Sequence, residues 1–117
     1  EESKDSQPMT LREQYLGSNE LGVEDGWADI IDGLLVLIDD EVKHSALHKF
    51  KVIQMKEKFG GLRFYMRGGN EVTSALGLFA ERMSTRTCEI CGDRGTLDTN
   101  NFWIKTHCPR HMREKRD

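Results

Sequence analysis

All three cysteines of this chain fall in its last thirty residues, and their spacing constrains the fold more than any other feature. Cys88-Glu89-Ile90-Cys91-Gly92 is followed, sixteen residues after Cys91, by Cys108-Pro109-Arg110-His111. Two residue pairs, each with two residues between its members, thus offer three thiolates and one imidazole. That is the donor set of a closed, tetrahedral, structural zinc site. Cys88, Cys91, Cys108 and His111 are therefore the expected ligands. His107 is the one rival for the fourth place, but neighbours on a strand point to opposite faces, so beside Cys108 it is the poorer choice. Four protein ligands leave no coordination position for an activated water, so the ion reads as structural; with no Ser-His-Asp set, phosphate-cradling glycine loop or free nucleophilic cysteine, the chain reads as non-enzymatic.

The residues around the ligands read as a small module. Gly92 lets the chain turn left-handed beneath two sulfurs. Residues 95–99 and 102–106 suit a short hairpin about Asn100-Asn101, and Pro109 suits the first turn of a helix that carries His111 back to the metal. Knuckle, hairpin and helix start resemble a treble-clef zinc finger. A treble-clef nuclease would need a base histidine on the hairpin, which offers only Asp98, Asn100 and Asn101.

A chain of 117 residues is expected to form one domain, 1–117. Residues 1–10, polar and containing Pro8, read as disordered. No apolar run approaches the ~20 residues of a membrane span, and the start shows no signal pattern. Thiols that must stay reduced to bind zinc point to the cytoplasm.

Hydrophobic periodicity predicts an α+β fold: an N-terminal amphipathic helix, a β-hairpin, a second helix and the C-terminal zinc module. The helix–hairpin–helix core is expected over 27–86 and the module over 87–113. Residues 11–16 suit a short helix stopped by Gly17, and residues 22–26 suit a loop. Trp27, Ile30, Ile31, Leu34, Leu37, Ile38 and Val42 then recur at helical spacing over about 26–43, despite Gly33. Residues 50–56 and 62–66 alternate as strands on either side of Lys58-Phe59-Gly60-Gly61. Asn70 caps a second helix, whose apolar stripe is Val72, Leu76, Phe79 and Met83.

The net charge of −3 conceals an asymmetry. Residues 1–47 carry twelve acidic and three basic side chains, whereas residues 48–117 carry eight and fourteen. Asp25, Asp29 and Asp32 are spaced to form one stripe on the first long helix, a surface suited to a basic protein partner such as a toxin or nuclease. Lys49, Lys51, Lys56, Lys58, Arg63 and Arg67 interleave with Phe50, Phe59, Phe64 and Tyr65, a composition able to bind nucleic acid. His44 and His48, four apart, read as a helix exit rather than a metal pair. Glu57 lacks a second carboxylate and reads as a surface charge.

Two blocks also resemble a widespread group of small bacterial and phage proteins. They are the run from Gln54 to Tyr65, with Lys56-Glu57-Lys58-Phe59-Gly60-Gly61 at its centre, and the later knuckle, Trp103 and Thr106-His107-Cys108-Pro109-Arg110-His111. The resemblance spans about residues 27–111 and implies the zinc ligands and the layout, without an activity. By analogy with small proteins of that kind, a protein-binding inhibitor or immunity protein is the first functional expectation. A nucleic-acid-binding zinc regulator is the second.

Overall fold

The computed structural model describes residues 9–17, 21–99 and 104–111. The expected disorder of residues 1–8, the turn about Asn100-Asn101 and the surroundings of Trp103 lie outside these residues, whereas Thr10, expected within the disordered stretch, is ordered as the cap of the first helix. The fold is α+β. Helix α1 (Leu11–Leu16) leads to strand β1 (Leu21–Gly22), a 3-10 turn (Asp25–Trp27) and helix α2 (Ala28–His44). A hairpin follows, β2 (Lys51–Lys58) and β3 (Gly61–Arg67), then helix α3 (Glu71–Ser84) and the small hairpin of β4 (Thr96–Asp98) and β5 (Lys105–His107).

Helix α1 begins in a capping box, Thr10 and Glu13 each satisfying the other's backbone N–H, and ends at Gly17 with φ 57°. The expected loop at 22–26 is more ordered than its glycines suggest. Leu21 and Gly22 pair in parallel with Met55 and Lys56, so the sheet has the order β1-β2-β3. The helix expected from 26 begins at Ala28, because the preceding 3-10 turn is what buries Trp27 completely. It ends at His44, and Ala46 turns the chain at φ 50°. His44 and His48 therefore share no helix face.

Strict alternation in β2 fails at one place. A register shift between Val52 and Gln54 leaves Ile53 at the surface, while Val52 and Met55 are both buried. One extra residue in a strand reverses the facing of everything beyond it. Strand β3 alternates as expected, with Leu62 and Phe64 buried and Tyr65 exposed. Both long helices cover one face of the sheet. Trp27, Ile31, Leu34, Leu35 and Ile38 meet Val52, Met55, Leu62 and Phe64 in a single apolar core.

The second long helix corrects the sequence expectation. Val72 and Phe79 are exposed, and the stripe that meets the sheet is Thr73, Gly77, Ala80 and Ser84. The cause is close approach. A Cβ on Gly77 would lie 2.8 Å from the Phe64 ring, so small residues are needed where α3 crosses β3. Asn70 caps this helix as expected, accepting from the Thr73 N–H at 3.0 Å.

Helix α1 is tied to α2 by a polar group at the edge of the core. The Tyr15 hydroxyl donates to Asp39 at 2.7 Å, and Lys43 pairs with the same carboxylate at 2.9 Å. The Lys43 ammonium, and then the Tyr15 hydroxyl, hold the Asp39 carboxyl below the usual range. Burial first, and the Asp39 charge second, push the Tyr15 phenol up.

Candidate metal centre

The knuckle is built by backbone bonds before any metal is considered. Cys88 N–H donates to the Asp93 carbonyl at 2.7 Å, and Gly92 N–H to the Cys88 carbonyl at 2.9 Å. Gly92 takes φ 87°, the left-handed conformation that its lack of a Cβ permits. Strands β4 and β5 pair antiparallel, and the chain enters a helical turn at Pro109. That turn brings His111 back toward the sulfurs.

The four expected ligands converge. The Sγ atoms of Cys88, Cys91 and Cys108 and the His111 ring nitrogen all lie within 4.8 Å of one another. Cys91 Sγ is 3.7 Å from Cys108 Sγ, and His111 Nδ1 is 3.5 Å from Cys88 Sγ and 3.2 Å from Cys108 Sγ. Zinc bonds of about 2.3 Å to sulfur and about 2.0–2.1 Å to nitrogen, set at tetrahedral angles, require edges of about 3.8 Å and about 3.5 Å. These three edges are close to those dimensions and the others lie within 4.8 Å, so the donors and their spacing fit a tetrahedral divalent ion. His107 lies in β5, opposite Thr96, and is not part of the group.

Without a cation, three thiolates cannot share so small a volume. The His111 N–H, with its ring beside it, pulls the Cys108 thiol down to about 6 against the effect of burial. The Asp93 N–H favours a Cys91 thiolate, but desolvation and the Cys108 and Cys88 sulfurs outweigh it and push that thiol up to about 11. A Cys108 thiolate is thus favoured and a Cys91 thiolate disfavoured, and a bound divalent cation would offset the second effect.

The module is seated on the core through residues whose role the sequence did not reveal. Gly26 N–H donates to the Glu89 carbonyl at 2.7 Å, and a Cβ on Gly26 would lie 2.2 Å from the Cys88 oxygen. Trp27 Nε1 donates to the Thr87 carbonyl at 2.9 Å. At the hairpin turn the Thr106 hydroxyl donates to the Gly60 carbonyl at 2.6 Å. Glu57 accepts from Gly60 N–H at 2.8 Å and pairs with Lys105 at 3.1 Å. Glu57 is therefore not a loose surface charge. It joins the hairpin turn to β5, and the Lys56–Gly61 run carries the module's seat. Glu89, buried beneath the knuckle, has its carboxyl pushed up by that burial.

The acidic stripe is only partly assembled. Asp25 sits in the 3-10 turn before α2, not on the helix, and Asp32 pairs with Arg12 at 2.7 Å. All three are exposed, and Asp29 borders an apolar groove of about 300 Å³ between α2 and α3. Ile30, Gly33, Leu37, Leu76, Phe79 and Met83 line this groove. Leu37 is 48% exposed and Phe79 64%. The apolar stripe on α3 read from the sequence is thus real, but only Leu76 packs against the core; Val72, Phe79 and Met83 are exposed, the last two in this groove.

The chain has no significant match among family models, curated proteins or solved structures. Among the described residues, no helix is long and apolar enough to cross a membrane.

Proposed function

We propose that this chain is a non-enzymatic, zinc-stabilised protein-binding protein. It acts as an inhibitor or immunity-type protein that docks a basic enzyme, such as a toxin nuclease, on the face shared by α2 and α3. The zinc site, with four protein ligands, builds the treble-clef-like module and leaves no position for a reacting water. The observation that supports the docking reading is the groove. Leu37, Phe79 and Met83, which line it from two adjoining helices, are exposed. Apolar surface gathered in this way is unusual on a monomer and marks an interaction site. Its charge selects the partner: Asp29 lies in the groove wall, and Asp40 is exposed one turn beyond Val36 and Leu37. An apolar segment with a lysine or arginine beside it complements both.

The test starts with capture from host lysate, using the wild-type chain and Phe79→Asp in parallel. A protein retained by the first and lost by the second is then purified and titrated by calorimetry. Binding should be abolished by Phe79→Asp and weakened by Asp29→Lys. Melting temperature should hold, since exposed substitutions usually stay within about 0.5 kcal/mol. Full affinity in both variants would remove the groove from the account. A concentration-dependent dimer abolished by Phe79→Asp would replace the foreign partner with a second copy.

A further inference from the structure

The sheet has a second face, away from the helices, whose charge pattern does not serve the fold. The β2–β3 register sets Lys56 opposite Arg63 and Lys51 opposite Arg67. Like charges directly across a ladder oppose strand pairing. Lys58 extends the row toward the turn. Glu57 is the sole acid in the two strands, and its partners are Gly60 and Lys105. Among the described residues, none of these five cations joins an ion pair. Strand β1 adds no cover, because the residue beside Lys56 is Gly22.

Two aromatic rings lie in the same row. Tyr65, opposite Gln54, is 41% exposed, and the Lys56 ammonium stands 5.9 Å from its ring centre. Phe59 is 63% exposed in the turn, with the Lys58 ammonium 5.7 Å from its ring. Phe59 also holds φ 54°. A bulky residue in the left-handed region is a backbone outlier, where asparagine or glycine would be relaxed. Strain kept in order to hold an apolar ring in water points to a use for the ring.

We propose that this open face binds single-stranded nucleic acid, independently of the α2/α3 groove. Lys51, Lys56, Arg63 and Arg67 hold the phosphates, and Tyr65 and Phe59 stack on bases. A positively charged track with exposed aromatic platforms is how single strands are bound without sequence readout. Seven residue steps along β2 span about 23 Å, room for a short run of nucleotides. An acidic peptide would satisfy the cations but would leave both rings without a stacking partner. The helices cover the opposite face of the sheet, so a protein partner and a strand can be held together.

The test uses the full-length chain and fluorescence anisotropy with a labelled twelve-nucleotide single strand of mixed sequence, as RNA and as DNA. The same sequence as duplex and a polyglutamate peptide of equal charge serve as competitors, over a salt series. Single strands should bind, with log K falling against log salt at about −0.7 for each phosphate held, hence a slope of about −3 for four. Tyr65→Ala should weaken binding roughly tenfold at unchanged slope. Tyr65→Phe should restore it, and Arg63→Ala should flatten the slope by about 0.7. Phe79→Asp should have no effect, which separates failure here from failure of the docking reading. Absence of binding at low salt overturns the proposal. So does equal competition by polyglutamate, a preference for duplex, or indifference to Tyr65→Ala.

Discussion

The α/β core and the Cys/His module are comparable in order but not in what orders them. Trp27, Ile31, Leu35, Ile38, Met55 and Leu62 are all almost completely buried in the core. Their side chains stabilise it by roughly 1.5–3 kcal/mol each, set against chain entropy. In the module, the buried apolar side chains among the described residues are Cys88 and Cys108, two of the metal ligands. Ile90 is 37% exposed, and Leu97 and Ile104 are only half-buried. The remaining buried groups there, Glu89, Asp98, Thr106 and His107, are polar. One region thus folds by removing carbon from water. The other has little carbon to remove, and on our proposal coordination supplies the difference. What joins them is a set of close contacts at Gly26 and Gly60 with polar bonds from Trp27, Thr106 and the Glu57–Lys105 pair, not a shared apolar core.

Cys108→Ala should produce the largest change. It deletes a central ligand, and structural zinc in small finger peptides contributes about 10–16 kcal/mol. Metal analysis should fall from one equivalent toward none. Amide dispersion should be lost over 88–111 and kept over α2, β2 and β3. A fully occupied site in this variant would refute the ligand set.

Leu35→Ala attacks the other region. Leu35 has no exposure, and truncating such a side chain costs about 2–5 kcal/mol. The core's denaturation midpoint should drop by that amount while metal stoichiometry stays at one. A fall in metal affinity that matches the lost core stability would show that the regions are not distinct.

Gly26→Ala tests the joint. Its Cβ cannot fit 2.2 Å from the Cys88 oxygen, so the knuckle must lift away from Trp27. We expect a loss of about 2 kcal/mol, read as weaker protection of the Trp27 indole proton with metal still bound. An unchanged indole signal would contradict the described seat.

Acid should act on the two regions by different routes. The Asp39 carboxyl is lowered in the fold, so its stabilising effect is complete above the unfolded value of about 3.9 and is lost as pH falls through the lower folded value. Asp39→Asn should therefore flatten the acid limb for α1 docking, followed by exchange of the Leu11–Leu16 amides. The module should already have released its metal at higher pH, because its ligands must be deprotonated to bind. This is the smallest of the expected effects. An unaltered acid limb in Asp39→Asn would assign α1 docking to other groups.

The cluster of Cys88, Cys91, Cys108 and His111 was legible in the sequence because coordination chemistry fixes both residue type and spacing. The cap at Asn70, the turn at Phe59-Gly60 and the buried face of β3 were legible for similar local reasons. The bulge at Ile53 was not, since inserting one residue changes facing without changing composition. The true inner face of α3 was hidden because Thr73, Gly77, Ala80 and Ser84 are small or polar, with Gly77 close against the Phe64 ring, which hydrophobic periodicity cannot register. Gly26 and Glu57 looked like loop residues until the module was found resting on them. Asp32 looked like a free partner charge until Arg12, twenty positions earlier, was found beside it.

The central claim is that metal coordination orders the C-terminal module while apolar burial orders the rest. Amide NMR of the full chain during removal of metal by a high-affinity chelator tests it most directly. Resonances of 88–99 and 104–111 should collapse toward unfolded shifts while those of α2, β2 and β3 persist. One equivalent of zinc should restore them. Retention of the module's dispersion in fully metal-free protein would contradict the account, as would loss of both regions in a single step.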